Sequence, residues 1–125
     1  MRLLLDTNVV IWWLEDSDRL GPVARNAIDD GGNEVFVSAV SACEMSIKSS
    51  LGKLRTPADL EQQISKNSFM ALPITVEHGV AVQDLPLHHR DPFDRILIAQ
   101  ARCEGLTVVT GDGQFYGYDV PVLKA

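Results

Sequence analysis

Four acidic residues have the types and placement to do chemistry together. Asp6 follows the apolar run Leu3-Leu4-Leu5, and Asp112 comes two residues after Val108-Val109-Thr110. Both runs read as strands buried on both faces, so both acids fall just past a strand's carboxyl end. Open parallel sheets gather their ligand chemistry there. Glu44 stands four residues after Val40, three before Ile47 and seven before Leu51, on the apolar stripe of a helix. Asp94 stands three, four and seven residues before Leu97, Ile98 and Ala101, and faces inward by the same spacing. Buried carboxylates without partners are costly. A cluster of them calls for a hard divalent cation, Mg2+ or Mn2+, which prefers oxygen ligands. Such a centre suits phosphoryl transfer, because the metal acidifies water and stabilises charge on the phosphorus transition state.

Each acid also has a quieter reading. Asp6, Thr7 and Asn8 are all good helix caps. Glu44 has Lys48 at i+4, the favourable order for a helix ion pair. Asp91 fits an N-cap with Pro92 at the first helical position, and Asp94 then lies where a carboxylate can complete a capping box or meet the helix dipole. Asp112 sits between Gly111 and Gly113, a common turn setting.

The elements that must position these acids alternate along the chain, the pattern of an α/β fold with a mainly parallel sheet of four or five strands. Strands are expected at residues 2–5, 35–37, 69–74, 106–110 and 120–123, the third broken by Pro73 and so an edge strand. Helices are expected at 7–14, 22–30, from Ser38 or Ser41 to 51, from a Thr56-Pro57 start to 67, from a Thr75 cap to 84, and from an Asp91 cap to 104. Gly52 and Gly105 stop two of them. Leu85–Arg90, with His88 and His89, is a loop whose histidines are expected to be solvated, with substrate contact the alternative.

The 125 residues suit one domain, 1–125, with one core. Hydrophobic residues make up 46%, too many for a disordered chain and in runs too short for a membrane span. No long apolar stretch follows Arg2, so no secretory signal is expected. Cys43 and Cys103 fall in helical apolar patterns and read as buried free thiols, which fits a reducing cytoplasm. A net charge of −6 argues against nucleic-acid binding by bulk positive charge. It leaves room for an enzyme whose clustered carboxylates are neutralised by metal.

In order, Leu-Leu-Leu-Asp6-Thr7-Asn8, Ser38-Ala-Val-Ser-Ala-Cys-Glu44-Met-Ser-Ile-Lys48, Leu51-Gly52-Lys53-Leu54, Asp91-Pro-Phe-Asp94-Arg-Ile-Leu-Ile-Ala99-Gln-Ala101 and Thr110-Gly-Asp112 run nearly end to end. The chain resembles the PIN-domain ribonucleases, and more closely the VapC toxins of type II toxin–antitoxin pairs. The resemblance implies a PIN-like fold and a metal-dependent endoribonuclease that hydrolyses RNA phosphodiesters with metal-activated water, leaving a 5′-phosphate and a 3′-hydroxyl. It places the family's acids on Asp6, Glu44, Asp94 and Asp112, with Mg2+ or Mn2+ held by Asp6 and Asp94 and by Glu44 and Asp112 directly or through water. Asp91 is left as the helix cap. Asn8 and Thr110 become candidates for orienting those ligands. Lys48, Lys53, Arg55, Arg90 and Arg95 flank the acidic segments and are candidate contacts to RNA phosphates, against solvated faces as the alternative. The resemblance also implies a homodimer and a VapB-type antitoxin. Trp12 and Trp13 are compatible with such an interface; the alternative is one ring in the core and the other partly exposed.

Two rivals come from other classes. One is a catalytically silent PIN-like module that binds RNA or protein, against which the intact acids at all four positions speak. The other is a receiver-type phospho-acceptor domain. That reading needs an acidic pair after the first strand and an Asp ending a middle strand, whereas Asp6 stands alone and Val35–Val37 is followed by Ser38.

Overall fold

Leu3, Leu4 and Leu5 are fully buried because β1 (Arg2–Leu5) runs through the middle of the sheet. In the computed structural model, which describes residues 1–55, 57 and 59–125, five parallel strands lie in the order β3-β2-β1-β4-β5. The others are β2 (Glu34–Ser38), β3 (Met70–Leu72), β4 (Thr107–Thr110) and β5 (Val122–Lys124). Leu5 is in register with Val37 on one side and Val109 on the other. Strand alternation divides the core in two. Leu4, Phe36 and Val108 face one layer, with Leu97, Ile98 and Phe115; Leu3, Leu5, Val35, Val37 and Val109 face the other, with Val9, Val10, Ala24 and Met45.

The helices are α1 (Thr7–Leu14), α2 (Pro22–Asp29), α3 (Ala39–Ser50), α4 (Leu60–Lys66), α5 (Val76–Ala81) and α6 (Pro92–Glu104). Their ends follow local chemistry. Ser38, not Ser41, caps α3, accepting the Val40 N–H at 3.0 Å. Thr75 forms a capping box with His78 at the start of α5. Gly105 ends α6 with φ of 67°, a left-handed conformation that favours glycine.

Several expectations need correction. The strand expected at 69–74 pairs only over Met70–Leu72, at the sheet's edge, because Pro73 lacks a ladder donor. The last strand starts at Val122 rather than Val120. Residues 76–84 split into α5 and a short 3-10 turn, Val82–Asp84. The helix start expected at Thr56 lies outside the described residues; α4 is described from Leu60. Cys43 is exposed and Cys103 half-buried, though both are free thiols. The inward face of α3 is Val40, Ser41, Glu44 and Met45, which turns Cys43, Ile47 and Leu51 outward. Both tryptophans are half-buried against the layer under α1. Trp13 donates its indole N–H to Asn67 Oδ1 at 3.0 Å and tilts against Phe69.

A buried polar chain holds α3 and α6 together. Ser38 Oγ donates to Gln100 Oε1 at 2.6 Å, and Gln100 Nε2 donates to the Pro73 carbonyl at 3.2 Å. Gln100 is fully buried among the apolar residues of α6, so its amide depends on these partners. Ser38→Ala removes the α3 cap and leaves Gln100 Oε1 without its donor. It is expected to cost about 1–3 kcal/mol. Urea unfolding checks this, with exposed Ser46→Ala expected within about 0.5 kcal/mol of wild type.

Candidate active site

The chain turns from β1 toward β2 and β3 on one side of the sheet and later returns to place β4 on the other. The switch point therefore falls between β1 and β4, and a crevice opens beyond their carboxyl ends. Asp6 leaves β1 there and caps α1. Its Oδ1 accepts the Val9 N–H at 2.9 Å, and its Oδ2 accepts the Thr110 hydroxyl from the end of β4. Thr110 Oγ1 in turn accepts the Asp112 N–H at 3.0 Å. Asp112 caps the 3-10 turn Gly113–Gly117, with Oδ1 accepting from Gln114 N at 2.9 Å. Gly111 lies against the Trp12 ring, where a Cβ would make an ordinary van der Waals contact at 3.4 Å.

Glu44 and Asp94 enter from the helices above. Thr7 and Ser41 share a buried hydroxyl hydrogen bond of 2.9 Å that ties α1 to α3 one turn before Glu44. Glu44 is 6% exposed; Lys48 Nζ lies 2.5 Å from its Oε2, so the i+4 pair forms. Its Oε1 is buried and, among the described residues, has no hydrogen-bond partner. Asp91 caps α6, accepting from Phe93 N at 2.8 Å and Asp94 N at 3.3 Å. Asp94 does not complete a capping box. The Asp91 N–H goes to His89 Nδ1 at 3.2 Å, and Asp94 Oδ2 lies 3.0 Å from His89 Nε2.

His89 is the residue the sequence reading missed. It is 7% exposed rather than solvated, and its Nε2 also lies 2.9 Å from Asp112 Oδ2. Its backbone N–H donates to Tyr118 Oη at 2.7 Å, its ring stands edge-on to Phe115, and the Arg95 guanidinium donates to its carbonyl at 3.3 Å. A loop histidine carries no periodicity, and its acceptors come from two other segments. The adjacent His88 remains exposed, packed edge-on to Tyr118.

The acids feel one another. Burial pushes the Asp6 carboxyl above its ordinary value against the Thr110 and Val9 hydrogen bonds, and the charges of Asp112 and Glu44 add to the rise. Burial, then the Asp91 charge, pushes Asp94 up to about 7; His89 opposes this, while Glu44 and Asp6 reinforce it. The hydrogen bond to Glu44 raises Lys48, with Asp91 and Asp94 contributing. Asp6, Glu44, Asp94 and Asp112 thus share one electrostatic site. His89, Asp94 and Asp112 offer ligand-type atoms within 4.8 Å of one another. A mainly carboxylate donor set with a buried uncommitted oxygen, Glu44 Oε1, fits a hard divalent cation.

Other expected site residues fall elsewhere. Asn8 is exposed, lines a cleft with Ile11, Trp12 and Leu54, and makes no hydrogen bond to Asp6 among the described residues. Arg95 donates to the carbonyls of Val82, Leu85, Pro86 and His89, so its guanidinium braces the loop before α6. Lys53 and Arg90 are exposed.

The chain matches the PIN domain over residues 3–121 and belongs to that family. It is similar in fold to DNA-bound VapBC from Salmonella typhimurium (TM-score 0.72, 17% identity, 99% of this chain and 98% of that one). It is also similar to VapBC2 from Rickettsia felis bound to a promoter DNA fragment (TM-score 0.70, 15% identity, 99% and 98%). A toxin–antitoxin complex from Klebsiella pneumoniae is a further neighbour (TM-score 0.66, 18% identity, 97% and 95%). No curated protein matches the chain.

Asp94 gives this site a pH dependence. In the folded, metal-free protein it keeps its proton to about pH 7, whereas its ordinary value is 3.8. The folded state binds the extra proton between those values, so stability falls as pH rises through that window. In EDTA, the unfolding temperature is expected to drop between pH 5 and pH 8, and the drop to shrink in Asp94→Asn. Differential scanning calorimetry checks both.

Proposed function

We propose that this chain is a metal-dependent endoribonuclease and the toxin of a type II toxin–antitoxin pair, held silent by a VapB-type antitoxin. The observation that carries the reading is Glu44 Oε1, buried and without a hydrogen-bond partner among the described residues, beside Asp6 and Asp94, whose proton affinity burial and neighbouring acids raise. PIN family membership and the solved neighbours that are VapBC or toxin–antitoxin complexes support it. Asp6, Glu44, Asp94 and Asp112 would hold Mg2+ or Mn2+. When bound, the cation acidifies a water and stabilises charge growing on the phosphoryl oxygens.

The chain's own groups do the rest. Thr110 and the Val9 N–H fix the Asp6 carboxylate, so it need not reorganise. Lys48 holds one Glu44 oxygen and leaves the other buried, with no hydrogen-bond partner among the described residues. Lys53 and Arg90, both exposed, would be the contacts to RNA phosphates on a chain of net charge −6. Attack by water needs no 2′-hydroxyl and leaves a 5′-phosphate and a 3′-hydroxyl. No described helix is long and apolar enough to cross a membrane, and the proposed place of action is the cytoplasm. Exposed Val76, Val80 and Leu87 give apolar surface suited to a homodimer or antitoxin contact.

Purified, antitoxin-free protein incubated with total cellular RNA tests the reading. Discrete cleavage is expected with Mg2+ or Mn2+ and none in EDTA. Asp6→Asn and Asp94→Asn are expected to lower the rate about a hundredfold or more, since several kcal/mol of charge stabilisation go with the ligand. A folded protein that binds divalent metal yet leaves all RNA intact would favour a silent binding module.

A further inference from the structure

We infer that His89 is a positioning residue of the acidic site, one that spaces Asp94 and Asp112 for the cation without ligating it. The inference rests on the metal-centre reading above. Its first ground is hydrogen-bond direction. His89 Nδ1 faces a donor, the Asp91 N–H at 3.2 Å, so that nitrogen keeps its lone pair. The ring proton is therefore on Nε2, which faces two acceptors, Asp112 Oδ2 at 2.9 Å and Asp94 Oδ2 at 3.0 Å. That N–H hydrogen-bonds the carboxylate from beyond β4, and the carboxylate from the first turn of α6 lies in ion-pair range of the same nitrogen. A nitrogen that carries this proton has no lone pair for a metal. Ligation through Nε2 would need the other tautomer, which would set Nδ1–H against the Asp91 N–H.

The second ground is how firmly the ring is held. Tyr118 Oη accepts the His89 N–H and donates to the Pro86 carbonyl at 2.8 Å. Arg95 spans the carbonyls on both sides of the same loop. Phe115 packs edge-on against the ring. Tyr118 and Arg95 fix the backbone of His89, and Phe115, the Asp91 N–H and Asp112 hold its buried ring, a set built to keep one orientation. Glu44 Oε1 and the remaining carboxylate lone pairs would then be the groups to hold the cation. Groups that orient metal ligands in this way commonly change metal affinity by 10–100-fold when lost.

Two measurements test this without relying on RNA cleavage. Calorimetric titration with Mn2+ compares wild type, His89→Gln and His89→Ala, each shown to be folded by its unfolding temperature in EDTA. His89→Ala is expected to weaken Mn2+ binding about tenfold or more, and His89→Gln, which keeps an N–H at similar reach, to hold near wild type. Long-range proton–nitrogen NMR of wild type, with and without Mg2+, is expected to show the Nε2–H tautomer in both states. If His89→Ala does not fold, the His89→Gln titration and the tautomer decide. Unchanged affinity in His89→Ala overturns the inference and leaves the metal centre standing. A switch to the Nδ1–H tautomer on adding Mg2+ makes His89 a ligand and also overturns it. A folded wild type that binds no Mn2+ removes the metal centre, and this inference with it.

Discussion

The withdrawal of carboxylates from water, compounded by their mutual repulsion, is the constraint around which this site is arranged. Asp6 and Glu44 are almost wholly buried, and Asp94 partly so. Burial favours the protonated forms of Asp6 and Asp94, and the charges of neighbouring acids reinforce the effect. The fold answers with individual donors: Thr110 and Val9 for Asp6, Lys48 for Glu44, Gln114 for Asp112, and His89 between Asp94 and Asp112. Those donors offset part of the cost. The remainder, concentrated at Glu44 Oε1, is what a divalent cation would relieve.

Holding four acids together requires four chain segments to agree. The parallel sheet supplies two, because adjacent β1 and β4 end side by side and the Asp6 N–H donates to the Val109 carbonyl at 3.1 Å. Helices α3 and α6 supply the others, and they meet through Ser38 and Gln100 beneath the site. The polar chain continues through Gln100 to Pro73 and approaches His78, whose ring meets Glu104 at 2.9 Å. These buried polar groups are satisfied by one another across segments distant in sequence, so they specify the packing of the helices that carry the acids. The loop from Leu85 to Arg90 is irregular yet firmly held, with Arg95 and Tyr118 taking up its exposed carbonyls.

Local pattern by itself determined most of the architecture. Three consecutive leucines, the caps at Ser38, Thr75 and Asp91, and Gly105 act within a few residues, so they read directly as a central strand and helix limits. Glu44 and Asp94 stand out in the sequence because carboxylates on an apolar helix stripe break the amphipathic rule, Asp6 and Asp112 because each follows an apolar strand run, and the order of the four carries the family resemblance. The stripe reading for Glu44 succeeded although Ile47 and Leu51 turned outward, since Val40 and Met45 on the same face suffice to bury it.

Tertiary structure alone decided what long-range contacts control. Strand order brought Asp6 beside Thr110 from 104 residues away, and no local rule gives that neighbour. His89 became an interior group because its partners come from α6, the turn after β4 and Tyr118. Arg95, which charge alone marked for RNA, was drawn to four backbone carbonyls because an irregular loop leaves its acceptors unpaired. Sequence pattern determines which residues belong inside; which of them meet depends on the crossing of segments, a property of packing that periodicity does not encode.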